Sequence, residues 1–369
     1  MQQLDLSIGE TKLKNNKLLY INRHTNYFSS YPHEIKASKT NILHVLINKL
    51  LIKNIKEHNV CLTLGNREGL FSSFLSINKT QKKYVIVLIP YYQIYKKLAI
   101  LTGKKIIFIK QTHALKRLQQ LNKTILKQVN CIFICNPNNF NGNSFSKWQL
   151  IQLITLLKRH NIFLIYDDCY SEIINNYSIN IASIIKNTKY KNLIHLLSVS
   201  KRSCAPGLRA GILIAKSKII EKVKLYKLIA GTQLSCRNQI LSAFLWKGTK
   251  EKNYLIKKTT ALKAYCKKLA HIYKLPISSN GFYLTINTLT TSTTRNIINN
   301  LQKHNIKVCL GELFGIKNHI RIALVAKVAT CKTVLKTIFK VIKHEKYKAT
   351  KNSNKKTRQR SDKSSCKKK

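Results

Sequence analysis

The sequence predicts an α/β protein: a large three-layer domain built on a mostly parallel sheet, followed by a smaller C-terminal α+β domain. Two observations predict the large domain. Its apolar runs are continuous instead of alternating, which is typical of strands covered on both faces. Stretches with helical spacing, such as SKWQLIQLITLLKRHN, separate the runs between 84 and 166. The predicted strands lie at 60–64, 84–89, 105–109, 131–135, 162–166, 193–199 and 211–215.

The smaller domain is predicted from the pattern that follows. Residues 217–273 are helical in spacing with few breakers, and strands are predicted at 281–287 and 319–325. An amphipathic helix comes next, and the final lysine-rich segment has no apolar stripe. The predicted organisation is an N-terminal arm over 1–35, a large domain over 36–250, a small domain over 251–345 and a disordered basic tail over 346–369.

The charge of the chain has two interpretations. It carries 67 Lys and Arg against 13 Asp and Glu, a net charge of +54. Such a charge is typical of proteins that bind nucleic acids or anionic membranes, which present a clustered basic surface. Here the basic residues are spread along the whole length, and Lys, Asn, Ile, Tyr and Phe, whose codons are rich in A and T, are plentiful. We therefore attribute the charge to an AT-rich, reduced genome and expect no nucleic-acid partner.

The spacing of the cysteines and the first residues of the chain predict the cellular compartment of the protein. The 10 cysteines stand singly with no CxxC pair, so we expect reduced structural thiols and no metal site. The first ten residues lack the basic-then-apolar pattern of a signal peptide, and no apolar run approaches membrane-spanning length. We expect a cytoplasmic protein with no membrane partner.

The stretch LLSVSKRSCAPGLRAG, at 196–211, combines side chains that can bind a phosphate with a lysine that can react with an aldehyde. The hydroxyls of Ser198 and Ser200 and the guanidinium of Arg209, beyond a Pro-Gly turn, suit a phosphate monoester. A lysine beside such a group, here Lys201, can form a Schiff base with an aldehyde. The stretch resembles the SxSKxxxxPGLRxG motif of fold-type-I pyridoxal-phosphate aminotransferases of class I/II. The resemblance implies the PLP-dependent transferase fold, with Lys201 as catalytic, cofactor-binding lysine and the other three as phosphate ligands.

A second stretch, IFLIYDDCYSEI, places carboxylates at the end of a predicted buried strand. A carboxylate there requires a partner, because its desolvation is costly. The stretch resembles the DECYSEI segment of the same family, with Asp168 in place of glutamate. The resemblance implies that Asp167 pairs with the pyridine nitrogen of the cofactor and that Tyr170 binds its phenolic oxygen.

Three further segments resemble the family. The loop CNPNNFNGNSFS resembles NPxNPTG, with Asn139 as the asparagine that binds the phenolic oxygen and contacts substrate. The segment GNREGLF resembles GSREALF, which implies phosphate-binding amides at Asn66 and Arg67, where a helix N-terminus presents unpaired N–H groups. The segment YYQIY implies that Tyr92 stacks on the pyridine ring.

Three residues imply substrate and subunit contacts. Arg321 interrupts an apolar strand and corresponds to the family's arginine for the substrate α-carboxylate. Gly9 corresponds to a substrate-contacting glycine. Tyr31 corresponds to a tyrosine that reaches the cofactor phosphate of the neighbouring subunit, which implies a homodimer with shared active sites.

The segments LSIGE, GNREGLF, YYQIY and LSVSKRSCAPGLRAGILIA look most like the N-succinyl-L,L-diaminopimelate aminotransferases of lysine and diaminopimelate biosynthesis. The resemblance implies ping-pong Schiff-base transamination with glutamate and 2-oxoglutarate as the partner pair. Two alternatives stay open: an aminotransferase of the same fold for aspartate, aromatic or other amino acids, and a non-catalytic basic nucleic-acid-binding protein on this fold. The basic tail over 346–369 is the local support for the second.

Overall fold

The computed structural model describes residues 4–7, 56–174 and 179–365 of the chain, without the side chains of residue 182 and of 352–365. Its contacts divide the chain into a large unit, Glu10–Lys257, and a small unit that combines Met1–Gly9 with Lys258–Lys369. The sequence predicts a separate arm over 1–35. The first residues instead group with the small unit, since strand β1 (Leu4–Asp5) pairs with a strand near residue 306.

The large unit contains a seven-stranded sheet within the described residues. Its strands are β2 (Val60–Thr63), β3 (Tyr84–Ile89), β4 (Lys105–Lys110), β5 (Val129–Cys135), β6 (Phe163–Asp168), β7 (Leu193–Ser198) and β8 (Gly211–Ile214). The order across the sheet is β2-β8-β7-β6-β5-β3-β4, in which β8 alone runs antiparallel to its neighbours. The predicted α/β fold class with its mostly parallel sheet is confirmed.

Helices connect and cover these strands. They are α1 (Asn66–Ile77), α2 (Gln93–Leu101), α3 (Ala114–Gln120), α4 (Lys123–Lys127), α5 (Lys147–Arg159), α6 (Ile181–Thr188), α7 (Val199–Arg202), α8 (Ser217–Ile229), α9 (Cys236–Lys247) and α10 (Lys250–Tyr273), the last of which continues into the small unit. Every residue of β5 is buried, including the polar Asn130, and the continuous apolar run CIFIC within the strand predicts this burial. Side chains such as Ile132 and Leu164 of the sheet share one core cluster with Leu153 and Leu157 of α5.

The small unit is built on antiparallel strands. Its strands after β1 are β9 (Ile277–Asn280), β10 (Tyr283–Asn287), β11 (Ile306–Lys307), β12 (Cys309–Leu310) and β13 (His319–Ala323). The sheet order is β12-β13-β10-β9, and β1 pairs with β11 in parallel. Its own helices are α11 (Thr291–Lys303) and α12 (Val328–Ser365). The predicted smaller α+β domain is confirmed in its class.

The last helix differs from the disordered tail that the sequence predicts from 346 onward. The described backbone of α12 continues through this segment to Ser365. No proline or glycine interrupts 328–365, and the Lys, Arg, Gln and Ala residues of the segment are good helix formers. Helix propensity without a breaker therefore accounts for the extension.

The sheet topology positions the functional edge. Strands β5, β6 and β7 are parallel neighbours. Asp167 lies next to the carboxyl end of β6 and Ser198 at the carboxyl end of β7, where ligands bind in sheets of this type. In the register, Cys135 of β5 is opposite Asp167 of β6, and Asp167 is opposite Leu196 of β7. The strand ends that carry the predicted chemistry therefore lie side by side.

The sheet core makes a direct prediction for stability. Ile132 is fully buried in β5, so Ile132→Ala should lower the free energy of unfolding by about 2–5 kcal/mol in urea denaturation. Ile100 on α2 is 62% exposed, and Ile100→Ala should change the same quantity by less than about 0.5 kcal/mol. Equal losses in the two variants would contradict the placement of the core.

Candidate active site

Asp167, the penultimate residue of β6, is the buried carboxylate of the site, with 3% of its surface exposed. Three side chains donate hydrogen bonds to it. Asn66 Nδ2 donates to Oδ1 at 2.8 Å, Tyr95 OH donates to Oδ2 at 2.9 Å, and Cys169 Sγ donates to Oδ1 at 3.0 Å. These donors come from α1, from α2 and from the turn after β6, so three segments of the large unit converge on one carboxylate.

Burial raises the pKa of the Asp167 carboxyl above its ordinary value, because the ionised form loses its hydration. The three donors act in the opposite direction since they stabilise the ionised form, and the neighbouring Asp168 carboxylate raises the pKa further. A cation next to the carboxylate would favour its ionisation more than any further neutral donor.

Lys201 lies on α7, the short helix that follows β7. Its ammonium is near enough to Cys169 to lower the pKa of that thiol, while burial and the Asp167 carboxylate hold the thiol pKa well above its usual range. Cys169 itself donates to Asp167. The structure therefore brings the predicted lysine and the predicted carboxylate to the same cluster of side chains.

The turn before Lys201 is organised by Ser198, which is buried at the N-terminus of α7. Its Oγ accepts a hydrogen bond from the Ser200 backbone N–H at 3.1 Å, and it donates to the Ala210 carbonyl at 3.1 Å. The two serine hydroxyls lie 2.9 Å apart. This capping arrangement explains why hydroxyls flank Lys201 at the end of a strand.

The N-terminus of α1 lies beside Arg209. Gly65 precedes the helix with a φ of 77°, in the left-handed region that favours glycine. A Cβ at Gly65 would lie 3.0 Å from Arg209 Nη2, so a side chain there would fill the space next to the guanidinium. Arg209 donates to the Leu64 carbonyl at 3.0 Å. The first amides of a helix and a guanidinium thus lie together at this turn, an arrangement that could hold an anion, and we call it the anion-binding turn.

Tyr92 lies immediately before α2 and contacts Arg67, whose Nε and Nη2 donate to the phenol oxygen at 3.2 and 3.1 Å. Burial raises the pKa of Tyr92, which the Arg67 charge opposes and the Asp167 charge reinforces. Tyr92 therefore lies between the anion-binding turn and the buried carboxylate.

Asn139 and Tyr170, the residues predicted to face one ring oxygen, are both buried. The Asn139 loop has Phe140 and Asn141 where the family has Pro-Thr. It is held by Asn138, whose Oδ1 accepts from Phe140 N at 2.8 Å and whose Nδ2 donates to the Pro90 carbonyl at 2.8 Å. The asparagine side chain thus replaces the fixed backbone of the missing proline.

Arg321 lies in the small unit, on β13, and is 7% exposed. Its guanidinium carbon is 4.1 Å from the centre of the Tyr283 ring and 4.5 Å from that of Phe314, and Nη2 donates to the Ser7 carbonyl at 2.7 Å. Two aromatic faces therefore hold this cation in place. Gly9 and Tyr31, the other two predicted contacts, lie outside the described residues.

The site contains two side chains that the sequence analysis did not identify. Tyr95 is three residues after Tyr92 on an amphipathic helix, a position that ordinarily packs in the core, and its ring does stack on Phe133 at 4.9 Å. Cys169 is one of many single cysteines. Their positions in the sequence could have identified both. Tyr95 follows Tyr92 by three residues, which is about one helical turn, and Cys169 follows Asp167 by two residues.

The chain matches a known protein family over most of its length. The profile of the family "Aminotransferase class I and II" matches residues 2–338. The chain belongs to this family. Class I and II aminotransferases are pyridoxal-phosphate enzymes, so pyridoxal phosphate is the cofactor.

Two curated relatives match part of the chain. A histidinol-phosphate aminotransferase of Buchnera aphidicola is 31% identical over 172 residues, 46% of this chain and 45% of the relative. An aspartate aminotransferase of Sulfolobus acidocaldarius is 27% identical over 207 residues, 54% of this chain and 50% of the relative. The chain spans about half the length of the curated relatives it matches.

Solved structures match nearly the whole chain. The aminotransferase AspB of Helicobacter pylori has a TM-score of 0.78 at 25% identity and covers 92% of this chain and 93% of its own. An aminotransferase of Neisseria meningitidis has a TM-score of 0.80 at 22% identity, with 93% of each chain covered. The fold is that of the pyridoxal-phosphate aminotransferases.

The residues present fit pyridoxal phosphate. A buried carboxylate can face a ring cation, and the Gly65 turn with Arg209 leaves a space for an anion that a side chain would fill. Asn66 Oδ1 is buried and accepts no hydrogen bond from the described residues, as expected of a polar atom beside a ligand. The described residues hold no cluster of three metal-ligating side chains, and no helix among them has the length and apolar character to cross a bilayer.

The donors to Asp167 make a prediction for its titration. Tyr95→Phe removes a hydrogen bond that stabilises the ionised carboxylate, so the pKa of Asp167 should rise further above its ordinary value. Carbon-13 NMR of the aspartate side chains in the cofactor-free chain measures it.

The matched control is Tyr190→Phe, which removes another buried hydroxyl hydrogen bond, that to the Ile162 carbonyl, at the far end of the strand. It should leave the Asp167 titration unchanged. Equal shifts in both variants would show that Tyr95 acts through general packing and not through its hydrogen bond.

Proposed function

We propose that the chain is a transaminase that moves an amino group between glutamate and 2-oxoglutarate on one side and N-succinyl-L,L-diaminopimelate on the other. The observation that carries the proposal is the convergence of Asp167, Lys201 and the Gly65–Arg209 anion-binding turn in one unit of the fold. Membership of the aminotransferase family supports it, since the non-catalytic nucleic-acid-binding alternative requires none of these residues in this arrangement.

Each predicted residue then has a role. Lys201 is the catalytic residue, and Asp167 faces the ring nitrogen. Arg321 and Gly9 bind the substrate, together with Asn139. The remaining cofactor contacts are the phosphate ligands Asn66, Arg67, Ser198, Ser200 and Arg209, the ring-stacking Tyr92, the ring-oxygen ligand Tyr170, and Tyr31 from the partner subunit.

The mechanism follows from the chemistry of these groups. Pyridoxal phosphate supplies an electrophilic aldehyde and a ring that withdraws electrons while its nitrogen is protonated. Asp167 holds the proton on that nitrogen, because a carboxylate buried among donors stabilises a cation strongly at low dielectric. Lys201 Nζ would remove the proton from the substrate α-carbon as general base and, as general acid, would deliver it to the former aldehyde carbon of the cofactor. Arg321 holds the substrate carboxylate with a bidentate pair of hydrogen bonds.

The amino substrate is proposed from the segments around Gly65, Tyr92 and Lys201, which look most like those of N-succinyl-L,L-diaminopimelate aminotransferases. A second candidate is favoured by the partial match, at 31% identity, to histidinol-phosphate aminotransferase, and a third by the match to aspartate aminotransferase. Aromatic and other amino acids remain within the same reaction class. We further propose that the protein is a homodimer, on the correspondence at Tyr31, and that it is cytoplasmic, on the reduced single cysteines that the sequence predicts.

Lys201 carries the test of the reaction. Adding glutamate to the chain loaded with pyridoxal phosphate should convert its visible absorption to that of the aminated cofactor. Lys201→Ala should slow this conversion by at least about 100-fold, because proton transfer loses its base. Lys216 is exposed just after β8, the neighbouring strand, and Lys216→Ala should behave as wild type. A wild-type rate in Lys201→Ala would refute transamination by this lysine.

The substrate is tested by comparing amino donors with 2-oxoglutarate as acceptor. The value of kcat/KM for N-succinyl-L,L-diaminopimelate should exceed those for histidinol phosphate, aspartate and phenylalanine by about tenfold or more. Release of glutamate measures each rate. A higher value for any of the other three would assign the enzyme to that substrate, with the reaction type retained.

A further inference from the structure

A buried ion pair lies behind the anion-binding turn. Lys227 of α8 is 4% exposed and donates from Nζ to Glu68 Oε2 at 2.8 Å and to the Thr232 carbonyl at 2.5 Å. Glu68 is in the first turn of α1, two residues after Asn66. Neither charged side chain belongs to the set of residues proposed to touch cofactor or substrate.

The pair contacts the turn at Leu64, whose two backbone polar groups are bonded to Glu68 and to Arg209. Glu68 Oε2 accepts a hydrogen bond from the Leu64 N–H at 3.0 Å, and the Leu64 carbonyl accepts one from Arg209 Nη2 at 3.0 Å. Leu64 directly precedes Gly65, where the chain turns into α1. Both backbone polar groups of Leu64 are therefore fixed by charged side chains, one from each side of the turn.

The turn at Gly65 has an unusual backbone conformation and little space beside its Cα. Gly65 has a φ of 77°, and the position of its missing Cβ is already within 3.0 Å of Arg209 Nη2. The direction of the amides that follow depends on this one conformation, because Gly65 itself has no side chain to restrain it. A restraint on Leu64 thus determines where the helix amides and the Arg209 guanidinium point.

The carboxylate depends on its lysine. Glu68 Oε1 is buried and accepts no hydrogen bond from the described residues, and Lys227 is the cation that the structure places against Glu68 Oε2. Removing the ammonium would leave a buried charge without its counterion, which is strongly unfavourable. The carboxylate would then reorient toward water, and the Leu64 N–H would lose its acceptor.

We propose that Lys227 and Glu68 are positioning residues that set the phosphate-binding turn of the cofactor site. This inference rests on the proposed function, in which the amides at Asn66 and Arg67 and the Arg209 guanidinium bind the cofactor phosphate. It predicts an effect specific to the phosphate: the pair should matter for pyridoxal phosphate and not for pyridoxal, which has the same ring and aldehyde without the phosphate.

The test compares the dissociation constants of these two ligands by equilibrium dialysis. In Lys227→Met, the constant for pyridoxal phosphate should rise about tenfold, equivalent to about 1.4 kcal/mol, while that for pyridoxal should change by less than about twofold. The matched control is Lys104→Met. Lys104 is also buried in the large unit and donates to the Lys79 and Lys82 carbonyls at 2.5 and 2.6 Å, and its loss should change neither constant.

The outcomes separate a positioning role from a structural one. Equal weakening of both ligands in Lys227→Met, or no weakening of either, would overturn the proposal. Should Lys227→Met fail to fold by circular dichroism, Glu68→Gln enters the same comparison, since it removes the charge and keeps the size of the side chain. A wild-type chain that binds both ligands equally would refute the phosphate site itself, and this result is seen before any variant is compared.

Discussion

The site depends on a carboxylate placed where an ionised group is costly. Asp167 sits at the end of β6, the middle strand of the large sheet, with almost no exposed surface. Such a charge costs several kcal/mol unless donors or a cation compensate it. The hydrogen bonds from Asn66, Tyr95 and Cys169 supply part of that compensation, and under the proposed function a protonated ring nitrogen would supply the rest. The packing of the segments that donate these hydrogen bonds therefore affects the chemistry proposed for Asp167.

The position of Asn66 shows how the two ends of the cofactor site are coupled. Its backbone begins α1 beside Gly65 and Arg209, while its side chain donates to Asp167. One residue therefore belongs both to the anion-binding turn and to the carboxylate cluster. Glu68, the partner of Lys227, also contacts this turn, since its carboxylate accepts a hydrogen bond from the Leu64 N–H.

Much of the fold and the site was predictable from sequence. Strands buried on both faces are continuous in apolar residues, so every strand of the large sheet was predicted to within a few positions. Asp167, Lys201 and Arg209 were identified as candidates because they lie at or after the ends of predicted strands and within local motifs. Tyr95 was not predictable, because an aromatic residue on an amphipathic helix packs in the core by default. Nor was the pairing of Glu68 with Lys227, since these residues are 159 positions apart and no local pattern connects them.

The protonation state of the cofactor nitrogen shows whether Asp167 pairs with the ring. Nitrogen-15 NMR of the chain loaded with ring-labelled pyridoxal phosphate reports whether that nitrogen carries a proton. We expect a protonated nitrogen at neutral pH in the wild-type chain and an unprotonated one in Asp167→Ala. The same nitrogen shift in both proteins would contradict this expectation, because the buried carboxylate would then have no part in holding the ring.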